Sequence, residues 1–373
     1  MAIDYTAALQ QGGGIGRYVR ELVAALARLD NESPYRLFAA GKARGDLPAA
    51  PGPNFTWRPS RISPEWFARL WHRARLPLPV EWWTGPVCLL HAPDFTLPPV
   101  RRGTRTLLTV HDLSFVRAPE TAPASLRAYL NRAVPRSVAR ADHVLADSEA
   151  TRQDLIALYG TSPEKISVLY SGVSAHFRPV RDTTALDAVR RRCGIGAGPF
   201  ILSVGTVQPR KNYLRLVEAL HRLDRPDLRL VIAGGRGWLD DPLYARIDDL
   251  GLQDRVIFTG FVPDADLPAL YSAARVFAFP SLYEGFGLPI LEAMACGTPA
   301  VVSTASSLPE VAGDAALLVD PTDVDGLTHA IARLLDDEAL RADLVARGRA
   351  RVEAFTWDGA ARQLLDHYLT LIC

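Results

Sequence analysis

The chain repeats one pattern: a strand-length apolar run, a polar turn, then apolar residues at helical spacing. In the second half the runs are FILSVGTV, LRLVIAGG, RVIFTGFV, VFAFPS, TPAVVS and ALLVD, and helices are predicted over Tyr213–Leu223, 242–250, 266–274 and from Leu288 or Pro289. Strands apolar along their whole length must be covered on both faces, which is the condition of parallel sheets wrapped by crossover helices. The first half behaves alike. A strand near residues 1–5 runs into QGGGIG and a helix marked by Ile15, Tyr18, Val19, Leu22, Val23, Leu26 and Leu29. Further strands end at His111 and Asp112, end at Asp147 and Ser148, and lie in KISVLYSGV, while YRLFAAGK reads as the second strand. A chain of 373 residues exceeds one ordinary core. The expected fold is α/β with two doubly wound domains, 1–175 and 176–355, separated by a Pro/Gly/Thr-rich stretch at 172–185. Ligands of such sheets lie beyond the carboxyl ends of the strands.

Composition narrows the partners. A net charge of +1 argues against nucleic acid, and no apolar run reaches the length of a membrane span. The opening MAIDYTAALQQGGG lacks signal-peptide character, so a cytoplasmic location is expected. Cys88, Cys193, Cys296 and Cys373 are scattered without metal-ligand spacing and read as reduced thiols. Residues 57–83 hold five tryptophans and five arginines. That segment reads either as contact with the inner membrane surface or a lipid-linked molecule, or as a solvated basic face over packed rings.

Three stretches carry chemistry. A glycine-rich turn after the first strand lets backbone amides approach a phosphate, yet the second strand ends in Gly41 and Lys42 instead of the acid a dinucleotide site requires. In SVGTVQPRKN, Lys211 is one of only three lysines (with Lys42 and Lys165) among 42 basic residues. Adjacent Arg210 and Lys211 at a strand end can neutralise a diphosphate without a metal. In LYEGFGLPILEAM, a helix N-terminus that attracts anions is flanked by Glu284 and Glu292. A carboxylate repels phosphate, so each acid is expected to reach past it, to sugar hydroxyls on one side and a ribose on the other. Eight residues of helix cover about 12 Å, which suits that span. The ordinary alternatives are that Glu284 caps the helix and Glu292 is exposed. DAD at 264–266 and DVD at 323–325 match a metal-binding DxD pattern, but both precede helices and read as caps.

Together, EGFGLPILE, VGTVQPRKN, the run from VIFTGFVPDADLPALYS to CGTPAVVS and the glycine-rich first loop resemble the retaining, sugar-nucleotide-dependent glycosyltransferases of family 4. The resemblance implies a GT-B fold: two Rossmann-like domains facing across a cleft, with the last helix, 356–373, crossing back to the first. It further implies that Glu284 binds the donor sugar, with the amides of Phe286, Gly287 and Leu288 at its hydroxyls or phosphate. By the same resemblance Glu292 holds the ribose, Arg210 and Lys211 the diphosphate, Gly14 lies against the diphosphate, His111 beside the reacting sugar, and the base meets Phe261 and Val262. Thr206 stands where many members carry arginine, and Arg210 is expected to replace that charge. The PRKN form resembles the mannosyltransferase-like branch, which favours GDP-mannose.

The expected reaction moves a hexose to a saccharide or lipid-linked acceptor of cell-envelope polysaccharide synthesis, with no metal and no resident cofactor. Double displacement would need a carboxylate nucleophile about 5 Å from its acid partner, and Glu284 and Glu292 lie too far apart along the helix for that. Front-face attack, with the leaving phosphate taking the acceptor proton, is the expectation. Domain closure would exclude water. An epimerase or hydrolase acting without acceptor, or a non-catalytic nucleotide-sugar-binding partner, are the alternatives.

Overall fold

The computed structural model describes residues 1–372, with Arg44 described through its backbone alone. Cys373, read above as a thiol and as the end of the last helix, lies outside the described residues. The chain forms two compact units, 1–113 with 128–172 and the C-terminal helix, and 114–127 with 173–355.

In the first unit seven parallel strands are ordered β3-β2-β1-β4-β5-β6-β7: β1 (Ala2–Asp4), β2 (Tyr35–Ala40), β3 (Phe55–Ser60), β4 (Leu89–Ala92), β5 (Arg105–Val110), β6 (His143–Ala146) and β7 (Ile166–Val168). Strand order reverses at the β1/β4 boundary, so the connections that leave β1 and β4 run to opposite sides there. β3 runs into the segment read as a Trp/Arg surface. Pro59 and Arg58 are tolerated because β3 is an edge strand. Of the five tryptophans, Trp57 lies edge-on to Tyr5, and Trp71 and Trp83 pack with Phe38 and Phe67. Only Trp66 and Trp82 are largely exposed, at 54% and 60%. Three rings of the segment thus pack and two face outward.

The closing helix Trp357–Ile372 packs on the helix Gly14–Leu29 of the same unit. Tyr368 hydroxyl meets His91 Nδ1 at 2.8 Å, and the His367 ring stacks on His143. A Cβ on Gly172 would stand 2.2 Å from the Trp357 amide nitrogen. Gly172→Ala is therefore expected to cost about 1–3 kcal/mol of stability through overpacking, read as a lower melting temperature.

The second unit has six parallel strands ordered β10-β9-β8-β11-β12-β13: β8 (Phe200–Val204), β9 (Arg229–Ala233), β10 (Val256–Gly260), β11 (Val276–Phe279), β12 (Ala300–Ser303) and β13 (Leu317–Val319). Successive β8 side chains serve opposite cores. Phe200 and Leu202 join one apolar cluster, and Ile201 joins the other. Order reverses between β8 and β11, the strands that carry PRKN and LYEGFG at their carboxyl ends.

The break falls at 172/173, inside the stretch expected to link the domains, and a helix, Thr183–Arg192, capped by the Asp182 side chain, begins within that stretch. Residues 114–127 also group with the second unit, where Trp238 Nε1 donates to the Thr121 carbonyl at 2.9 Å. Among the described residues no helix is long and apolar enough to cross a membrane.

Candidate active site

The strand reversal brings together residues 73 positions apart. Glu284 Oε1 lies 2.7 Å from Lys211 Nζ, and Oε2 lies 2.6 Å from Arg210 Nη1. Lys211 is buried, its ammonium 4.7 Å above the Phe279 ring. Gly205 leaves room for it: a Cβ there would press Lys211 Cε at 2.9 Å. Arg210 also donates to the Tyr283 carbonyl at 2.6 Å. Burial alone would raise the Glu284 carboxyl, but Arg210 and Lys211 outweigh it and hold the group at about 2. Glu284 is thus an ion, and the cluster carries two positive charges against one negative, a net +1.

The Glu284 carboxylate does not stand apart from the cations: it pairs with Arg210 and Lys211 themselves. Nor does Glu284 cap the helix Leu288–Ala295, whose N-cap is Gly287 without a side-chain bond. Gly287 has φ +121, a left-handed backbone that favours glycine, and a Cβ would press Leu308 and Ile290. Among the described residues no protein acceptor is recorded for the Gly287 and Leu288 amides. Such amides at a helix start suit an anion. Phe286, one residue earlier, is buried against Phe355. Glu292 is neither exposed nor in the cluster. It is 2% exposed, and its Oε2 accepts from Tyr271 hydroxyl at 2.8 Å. Thr206 is exposed at the end of β8. Phe261 is 66% exposed and Val262 buried, just after Gly260, which accepts from the Gly234 amide.

Several supporting residues escaped the sequence reading. Asn212, in left-handed conformation, donates through Nδ2 to the Pro280 and Pro321 carbonyls at 2.8 and 2.7 Å, pinning the β11 and β13 loops to the PRKN turn. Ser306 hydroxyl accepts from the Glu284 amide and donates to the Glu284 carbonyl, both at 2.8 Å. Ser307 hydroxyl meets the carbonyls of Glu284 and Phe286 at 2.9 and 2.8 Å. The hydroxyl-rich STASS after β12 was the available signal. Of the acids in the DxD pairs, Asp323 caps its helix, accepting from the Gly326 amide at 2.9 Å. Asp266 makes no side-chain cap and instead pairs with Arg192 at 2.6 Å. Its carboxylate is already held by a charge, which outcompetes a neutral amide.

In the first unit His111 follows β5 and is 6% exposed. Its Nδ1 lies 2.7 Å from Asp147 Oδ2, and its Nε2 donates to the Pro93 carbonyl at 2.8 Å. Burial opposes a charge on the ring, but Asp147, Asp94 and the carbonyl outweigh it and lift the imidazole to about 9. Burial pushes the Asp147 carboxyl up as well, against the pull of His111. With Nε2 facing an acceptor, an imidazolium on a carboxylate is the state this geometry favours. The neighbouring histidines are opposite in sign. Burial lowers His91 to about 3 and His143 to about 4. A histidine titration followed by NMR is expected to find His91 uncharged at pH 5 and His111 charged at pH 8. By linkage, the stability contributed by neutral His91 and His143 is present above about pH 6.5 and lost as pH falls towards their folded values. That contributed by His111 is present below about 6.5 and lost as pH rises through about 9.

Gly14 opens the helix Gly14–Leu29. A Cβ there meets nothing within 4 Å, and its backbone is not left-handed. Gly16, by contrast, would strike the Gln11 carbonyl at 1.9 Å. The fold therefore explains glycine at 16 and not at 14. Gly14→Ala is expected to leave the melting temperature unchanged or slightly raised while lowering turnover.

A charged cluster and a helix start at the reversal of one parallel sheet, with a second such sheet in the other unit, are what a GT-B glycosyltransferase is expected to show. Residues 12–177 match Glycosyltransferase Family 4, and residues 190–351 match Glycosyl transferases group 1. O-antigen chain mannosyltransferase B of Escherichia coli is 37% identical over 286 residues, covering 76% of this chain and 74% of that protein. D-inositol 3-phosphate glycosyltransferase of Xylanimonas cellulosilytica is 35% identical over 298 residues, covering 77% and 70%. Among solved structures, sucrose-phosphate synthase from Thermosynechococcus elongatus aligns with a TM-score of 0.77 at 25% identity, covering 99% of this chain and 98% of that one. The chain belongs to glycosyltransferase family 4, in its mannosyltransferase-like branch.

Proposed function

We propose that this enzyme transfers mannose from GDP-mannose, with retention and without a metal, to a hydroxyl of a growing or lipid-linked saccharide in cell-envelope polysaccharide synthesis. The observation that carries the reading is the buried cluster of Arg210, Lys211 and Glu284 beside the Gly287 and Leu288 amides. The second unit takes the donor. Arg210, Lys211 and the amides receive the diphosphate, the loop at Phe261 and Val262 the base, and Glu292 the ribose. The first unit takes the acceptor. Gly14 and His111 serve the reaction from there, and exposed Trp66 and Trp82 suit a membrane-linked acceptor and contact with the cytoplasmic membrane face.

In the reaction the acceptor oxygen bonds to the anomeric carbon as its bond to the β-phosphate oxygen breaks. The acceptor proton passes to that phosphate. The charge left on the diphosphate is met by fixed donors, Lys211, Arg210 and the amides, which is how a preorganised site lowers a barrier. Both ring nitrogens of His111 face acceptors, so its contribution is a standing positive charge and not proton transfer. The identity of the relatives supports mannose, since O-antigen chain mannosyltransferase B is among them. The test is transfer of radiolabelled mannose from GDP-mannose in EDTA to lipid-linked saccharide in membrane extract, against UDP-glucose and dTDP-glucose. An α-linked product is expected from GDP-mannose. Transfer from another donor alone, or loss of activity in EDTA, would overturn the corresponding part.

A further inference from the structure

In this structure an anion already sits on the two cations: the Glu284 carboxylate, one oxygen on each. Its backbone cannot follow a ligand, because Ser306 and Ser307 hold the Glu284 amide and carbonyl. Only its side-chain torsions can move. The cations are also fixed, Lys211 over the Phe279 ring and Arg210 on the Tyr283 carbonyl.

We infer that Glu284 stands in the place of the diphosphate and is displaced onto the sugar hydroxyls by an intact donor, which makes it the residue that discriminates nucleotide-sugar from free nucleoside diphosphate. The inference rests on the donor reading above and deepens it. A free nucleoside diphosphate that takes Arg210 and Lys211 leaves a buried carboxylate without its partners and next to phosphate charge, a costly arrangement. An intact donor brings hydroxyls that donate to the displaced carboxylate and offset that cost. After transfer the sugar is gone, Glu284 competes for the cations again, and the nucleoside diphosphate is expelled.

The experiment is calorimetric titration in EDTA of the wild type, Glu284→Gln and Lys211→Ala with GDP and GDP-mannose, and in parallel with UDP and UDP-glucose. For the nucleotide the wild type binds, Glu284→Gln is expected to bind the free diphosphate roughly tenfold tighter, a change of one ion-pair's worth, and the intact donor no tighter. Lys211→Ala is expected to weaken both. Equal or weaker diphosphate binding by Glu284→Gln, with Lys211→Ala still impaired, overturns the inference and leaves the donor reading standing. Unchanged binding by Lys211→Ala, or none by the wild type, overturns the donor reading itself. If Glu284→Gln melts too low to titrate, Glu284→Asp keeps the charge but shortens its reach. It is expected to tighten diphosphate binding in the same direction by less, and weaker binding by it counts against the inference.

Discussion

Glu284→Ala is expected to lower turnover by about 10²- to 10³-fold, the usual cost of removing a group that stabilises the transition state, while the donor's KM changes far less. The carboxylate is ionised at every working pH, because Arg210 and Lys211 hold its pKa at about 2 against burial. Its contribution to stability is correspondingly present above about pH 4.5 and lost as pH falls towards 2. Alanine removes the acceptor for the sugar hydroxyls and leaves both cations for the phosphate. A kcat loss without a loss of nucleotide affinity is therefore the signature. Steady-state kinetics beside a melting curve separates this from unfolding, and unchanged kcat would take Glu284 out of the site.

Asp147→Ala is expected to destabilise the first unit by about 3–5 kcal/mol, the range for stripping one partner from a buried ion pair. His111 Nδ1 would lose its 2.7 Å contact, and the ring would keep only the bond from Nε2 to the Pro93 carbonyl. Around the ring Asp94 still raises its pKa, His91 is neutral, and Tyr18 packs edge-on at 5.0 Å. With Asp147 gone, burial prevails and the ring titrates lower. The loss of stability expected of the wild type between about pH 6.5 and 9 should then diminish, which thermal melts across that range measure. A variant as stable as the wild type, with an unchanged alkaline profile, would show that the pair is not an ion pair.

The sheets were legible because both their faces are buried. When Phe200 and Ile201 must both be apolar, the strand announces itself in the residue pattern. β3 and β4 were not legible for the complementary reason: β3 is an edge strand broken by Arg58 and Pro59, and β4 is four residues long with His91 inside it. Within the site, the residue types at 210, 211, 284 and 287 pointed to a diphosphate. Their mutual pairing did not show, because Lys211 and Glu284 meet only through the reversal of strand order between β8 and β11, which local spacing does not encode. The serine clamp on Glu284 is invisible for the same reason, coming from the neighbouring strand β12 and the turn after it. Glu292 was read as a choice between ribose and solvent, and the buried hydroxyl of Tyr271 was a third partner that helix periodicity could not reveal.

The most direct test is a crystal structure of the enzyme with GDP in EDTA. The account predicts the pyrophosphate within hydrogen-bonding distance of the Gly287 and Leu288 amides and of Lys211, with Glu284 turned off the lysine. Pyrophosphate bound elsewhere, with the Lys211–Glu284 pair intact at its present 2.7 Å, would contradict it.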